Sequence, residues 1–109
     1  MAQPNSAKTA LDLLVLTVLG RRGPLHGYGI ASAILELSVE ALRIEEGSLY
    51  PALHRMEEAG WISAESVMTE NRRRARMYRM TPLGRKQLAA ETERWQALTS
   101  SVARVLRLA

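Results

Sequence analysis

The residues Glu45 to Ile62, EEGSLYPALHRMEEAGWI, constrain the fold more than any other stretch of the chain. Leu49, Leu53 and Met56 recur at i, i+4 and i+7, the spacing of one buried helical face. Ser48, Tyr50, Pro51, His54 and Arg55 fall outside that stripe, leaving a polar, aromatic and basic face toward solvent. Gly60 stands where a left-handed helix cap is expected, and Trp61 and Ile62 begin an extended segment. The start is ambiguous. Ser48 as N-cap puts Pro51 at the third helical position, where its missing amide is tolerated, whereas a start near Glu45 puts proline deeper and implies a kink.

The remaining elements can be placed around this helix. Thr9 can cap a first helix through LDLLVLTVLG, which is apolar almost all round and so expected to be sandwiched in the core. Gly20, then Gly23 and Pro24, are its stop signals, with Arg21 and Arg22 at its C-terminal dipole. A second helix is expected from Gly27 to Leu37 on the stripe Ile30, Ile34, Leu37. Gly27 and Gly29, costly in a helix, imply close approach to a neighbouring helix or a phosphate. Tyr28 between them fits either a half-buried core tyrosine or a hydroxyl donor to phosphate. Ser38 to Glu46 reads as a turn with a short extended piece at Leu42 to Ile44. Strands are expected at Ile62–Met68 and Met77–Met80, paired as a hairpin around the polar loop TENRRRA, with Tyr78 packed on the helices.

Thr81-Pro82 is an N-cap followed by proline at the first helical position, and predicts a last helix to about Leu106. Leu88, Trp95 and Val102 repeat at seven residues, with Leu98 and Val105 as the matching d positions. At ~37 Å for about 25 residues, this helix exceeds what a body of this size can cover, so part of its seam is expected to meet a second copy.

Charge placement narrows the function. The net charge is only +4, but five arginines and no acid lie between Arg72 and Arg79, and thirteen of the fifteen basic residues are arginine. Such a patch suits phosphate and base edges. With no cysteine, disulfides and thiolate metal sites are excluded. The two histidines, His26 and His54, stand on different elements without ligand spacing, and no phosphate loop or nucleophile motif is present, so neither metal, cofactor nor catalysis is expected. The longest apolar run is too short to span a bilayer, which leads us to expect a cytoplasmic protein without membrane contact.

GSLYPALHRMEEAGWI, with LHGYGIA upstream and YRMTPLGR downstream, resembles the PadR family of bacterial winged-helix regulators from about Leu11 to Leu106. The resemblance implies a mainly α fold with a small β-hairpin: a winged helix-turn-helix over residues 9–81, after a flexible leader at 1–8, and a dimerisation helix at 82–109. It implies a repressor that binds double-stranded DNA as a homodimer. Carried over residue by residue, it marks Tyr28 as a phosphate contact and Ser48, Tyr50, Pro51, His54 and Arg55 as the reading face. Arg72, Arg73, Arg74 and Arg76 become a wing on the DNA backbone or minor groove. Glu45 departs from the serine or threonine that often caps this helix. Each assignment has a plainer counterpart: Arg55 paired with Glu58, a solvated His54, an exposed charged loop, or a winged helix used for protein contact. Leu88, Trp95, Leu98, Val102 and Val105 form the expected dimer seam. Trp95 is either core of that seam or, as in some relatives, a wall for an aromatic effector.

Overall fold

In the computed structural model, which describes residues 6–107, four helices pack with a three-stranded antiparallel sheet. The elements in chain order are α1 (Ser6–Arg22), β1 (Leu25–His26), α2 (Gly27–Leu37), α3 (Glu46–Glu58), β2 (Ile62–Met68), β3 (Arg74–Met80) and α4 (Pro82–Leu106). The fold is mainly helical, as expected. Among the described residues, no helix is long and apolar enough to cross a membrane.

α1 is the central element. Val15, Leu16, Val18 and Leu19 are all buried and meet Ile30, Ala33 and Ile34 of α2, Leu49, Leu53 and Met56 of α3, and Tyr78 of β3. Two expectations about its ends are corrected. Thr9 lies inside the helix, not at its cap, and residues 1–5 of the expected leader fall outside the described residues. Gly20 is helical too. The chain turns at Gly23, whose φ of +77° lets its amide donate to the Leu19 carbonyl at 3.0 Å.

β1 was not expected. Leu25 and His26 pair with Tyr78 and Met77, adding a third strand beside the hairpin in the order β1-β3-β2. The strand runs directly into α2 because His26 is also the helix cap, its Nδ1 accepting from the Gly29 amide at 2.9 Å. α2 itself has the expected bounds.

α2 closes with Val39 and Glu40 both left-handed, at φ 54° and 62°. Their amides donate to the Glu36 and Leu35 carbonyls at 3.1 and 2.7 Å, a closure normally made with glycine. Val39 is a β-branched residue, almost fully exposed, and held there at a cost of about 1–2 kcal/mol. Val39→Gly is therefore expected to raise the melting temperature by about 5 °C, after the larger entropy of an unfolded glycine is deducted. No rise in calorimetry would mean that the turn is unstrained. The chain from 41 to 45 carries no strand, which corrects the extended piece expected at Leu42–Ile44.

β2 has the expected bounds, whereas β3 starts three residues earlier than expected. It pairs from Met68↔Arg74 to Ile62↔Met80. Tyr78 is buried among the helices, as expected. Burial raises its phenol above the usual value, partly opposed by the Arg76 charge. The folded state thus keeps a proton that the unfolded chain releases near pH 10, and stability falls as pH rises through that region. Tyr78→Phe should flatten this alkaline loss above about pH 10 in urea-unfolding midpoints. An unchanged alkaline limb would assign the loss to other groups.

β3 passes into α4 through Thr81 alone. The Thr81 hydroxyl accepts from the Gly84 amide at 3.0 Å and donates to the Gly60 carbonyl at 2.6 Å, while the Thr81 amide donates to the Trp61 carbonyl at 3.0 Å. The first half of α4 lies on the body, with Leu88 packed against the core. Beyond Trp95 the apolar positions Leu98, Val102, Val105 and Leu106 are exposed, and the molecule is 54 Å long against 29 and 23 Å across.

Candidate nucleic-acid interface

α3 is stopped as its sequence demands. Gly60, at φ +81°, donates to the Glu57 carbonyl and Trp61 to Met56, both at 3.0 Å, closing the helix and aiming the chain into β2. Its start is at Glu45, which offers no side-chain cap. Ser48 is therefore the third helical residue and not the cap, and Pro51 sits inside the helix. The carbonyl that Pro51 leaves without an amide belongs to Gly47, and both residues are exposed, so it is open to solvent.

Leu49, Ala52, Leu53 and Met56 face the core, leaving Gly47, Ser48, Tyr50, Pro51 and His54 together on the open face. Tyr50 rests on the start of α2. A Cβ added to Gly27 would stand 2.7 Å from the Tyr50 hydroxyl, so the buried glycine is what lets this ring lie across the two helices. Of the two explanations offered by sequence for Gly27, helix approach is the one seen. Tyr28 is 75% exposed at the same end of α2, with its ring centroid 6.1 Å from that of His26; it is not a core tyrosine. His54 is solvated beside Glu58, at 3.4 Å.

Arg55 is placed differently from the other four reading-face residues. It turns inward and donates through both terminal nitrogens to Asp12 of α1, at 2.8 and 2.6 Å, instead of pairing with Glu58 or projecting beside His54. These bonds raise its pKa further above the usual arginine value, with partial burial acting against them. The signal for this pair was a lone aspartate in an apolar run, 43 residues away from its partner.

The basic loop also divides. Arg74 and Arg76 lie on β3, not in the loop, and share the sheet face that carries Ser66 and Met68. Arg74 reaches Ser66 at 3.4 Å, and Arg76 donates to Glu57 of α3 at 2.6 Å, tying the hairpin to the helix. The turn proper is Thr69 to Arg73, closed by the Thr69 amide on the Arg73 carbonyl at 2.8 Å, with Arg72 at φ 58°. Arg72 and Arg73 are exposed, and neither makes an ion pair among the described residues.

Electrostatics assign different work to the two parts. α3 carries Glu46, Glu57 and Glu58 against the single Arg55, so its own charge does not attract a polyanion. The turn supplies the free cations, and the helix face supplies hydroxyls, an imidazole and an apolar proline edge. That division, long-range attraction from one element and short-range contact from another, matches how DNA is held and read.

Comparison with known proteins agrees. Residues 15–90 match the transcriptional regulator PadR-like family. A transcriptional regulator of Mycobacterium tuberculosis is 44% identical over 82 residues, covering 75% of this chain and 70% of that protein. Among solved structures, a transcriptional regulator of Clostridium thermocellum superposes with a TM-score of 0.82 at 28% identity, over 93% of this chain and 97% of that one. A PadR family regulator of Eggerthella lenta gives 0.74 at 25% identity, over 93% and 82%. Helix-turn-helix, hairpin wing and long last helix, in this order and on these motifs, make the chain a member of the PadR-like family of transcriptional regulators.

Proposed function

We propose that the chain is a repressor that binds a pseudo-palindromic operator as a homodimer. The observation that carries the reading is the pair of free guanidinium groups at the wing turn beside an α3 face that is exposed but not charged. Arg72 and Arg73 lie on phosphate, while Ser48, Tyr50, Pro51 and His54 enter the major groove and Tyr28 contacts backbone. Arg74 serves as a flanking backbone contact. A winged helix used only for protein contact has no need of unpaired arginines at its wing.

A second copy on the outer half of α4 is supported by Leu98, Val102 and Val105, which are exposed there. Leu88 supports α4 on its own core. Trp95, half-buried where α4 leaves the body, is the residue through which an aromatic effector would act on the dimer. Leu98→Glu/Val102→Glu should convert the dimer to monomer in sedimentation velocity and abolish cooperative half-site binding, because two carboxylates in such a seam remain unpaired. A dimer that survives the double change would move the interface elsewhere.

The test of the reading is fluorescence anisotropy with labelled DNA from upstream of the protein's own gene, over a salt series. Tight binding that weakens steeply with salt supports it, since phosphate contacts release counterions. Salt-insensitive binding, or none to any duplex, rejects it.

A further inference from the structure

Asp12 is the sole buried charged residue among the described ones, at 7% exposure, and it stands in a helix whose neighbouring residues are apolar. Burying a carboxylate there is expensive, and two apolar side chains would hold α1 to α3 equally well. What the ion pair adds is direction. Apolar packing of Leu49, Leu53 and Met56 tolerates small rotations of α3 about its own axis, because it is non-directional. A two-bond fork from Arg55 to Asp12, at 2.8 and 2.6 Å, does not. α3 needs such a brace because its start has no side-chain cap and Pro51 removes one of its backbone hydrogen bonds. A rotation of about 15° moves an atom ~6 Å off the helix axis by about 1.6 Å, beyond what a base-edge hydrogen bond tolerates.

We propose that Asp12 is a positioning residue for DNA reading: acting through the Arg55 fork, it sets the rotation of α3 and so the places of Tyr50, Pro51 and His54. The inference rests on the DNA-binding reading above. Asp12 is buried away from any base or phosphate, and Arg55 commits one N–H of each terminal nitrogen to it. Specific affinity therefore depends on the pair while the phosphate contacts do not.

The experiment uses a duplex that the wild-type protein enriches from a random-sequence pool, with an unselected duplex as the non-specific probe. Binding is measured over a salt series for wild type, Asp12→Asn and Asp12→Leu/Arg55→Met, with melting temperatures alongside. The apolar pair should keep the melting temperature near that of wild type. It should lose about tenfold or more in affinity for the enriched duplex, with non-specific affinity and salt slope unchanged. Asp12→Asn keeps an acceptor for Arg55 and should fall between the two. If the apolar pair does not fold, Asp12→Asn alone carries the test through the same ratio of specific to non-specific affinity. Undiminished specific affinity in a folded variant overturns the proposal and leaves DNA binding intact. A salt slope reduced by about one per head would make Arg55 a phosphate contact, and tighter binding by Asp12→Asn would make Asp12 a mask; either overturns it. A wild-type protein that enriches no duplex overturns both readings.

Discussion

Gly84→Ala is expected to lower stability by about 3 kcal/mol, equivalent to roughly 15 °C in melting temperature for a domain of this size. A Cβ at this position would lie 1.9 Å from the Trp61 carbonyl oxygen and 2.9 Å from its carbon. That carbonyl cannot withdraw cheaply, because it receives the Thr81 amide and lies 3.0 Å from the Thr81 hydroxyl. The helix must therefore lift off the end of the sheet, and lifting it breaks the cap that starts it. Gly47→Ala is the control. Its methyl would meet nothing within 4 Å, so the melting temperature should hold or rise slightly. Differential scanning calorimetry of the two variants decides the matter: a loss of only about 3 °C for Gly84→Ala would mean that the helix start moves freely.

Arg72→Ala/Arg73→Ala should act on binding as strongly as Gly84→Ala acts on folding. Both groups are exposed and unpaired, so their removal costs the fold little. In the proposed dimer the change removes four phosphate contacts. With a slope near −0.9 per contact, the plot of log affinity against log salt should flatten by about 3.6, a loss on the order of 10³-fold at ~0.1 M salt. Arg76→Ala is expected to do less, because that guanidinium is already committed to Glu57. If both changes flatten the slope equally, the Glu57 contact opens on DNA and the division of labour described above fails.

Where a local chemical signal existed, the sequence was a good guide. α2, β2 and α4 have the expected bounds because a stripe, a glycine stop or a Thr-Pro start marks them within a few residues. β1 escaped notice because two residues after Gly-Pro become a strand only by pairing with Tyr78 and Met77, some fifty positions later. The start of β3 was missed because alternating arginines read as loop until the partner strand is known. α3 begins at Glu46, and its N-cap Glu45 makes no side-chain cap bond, so local rules favoured Ser48. At the interface, the exposed positions Tyr50, Pro51 and His54 followed from subtracting the buried stripe. The inward turn of Arg55 did not, because its partner is set by tertiary packing and not by helical spacing.

The single-residue joint at Thr81 has a mechanical consequence. Because β3 passes into α4 with no slack, the wing and the last helix turn as one piece, and α4 becomes a lever ~37 Å long. In the proposed dimer, a change of about 5° at the seam would shift each reading head by ~3 Å, close to the rise of one base pair. Half-site spacing would then be an angular property of the helix crossing. A single substitution or bound ring at that crossing could retune the operator by a whole base pair without altering any residue that touches DNA.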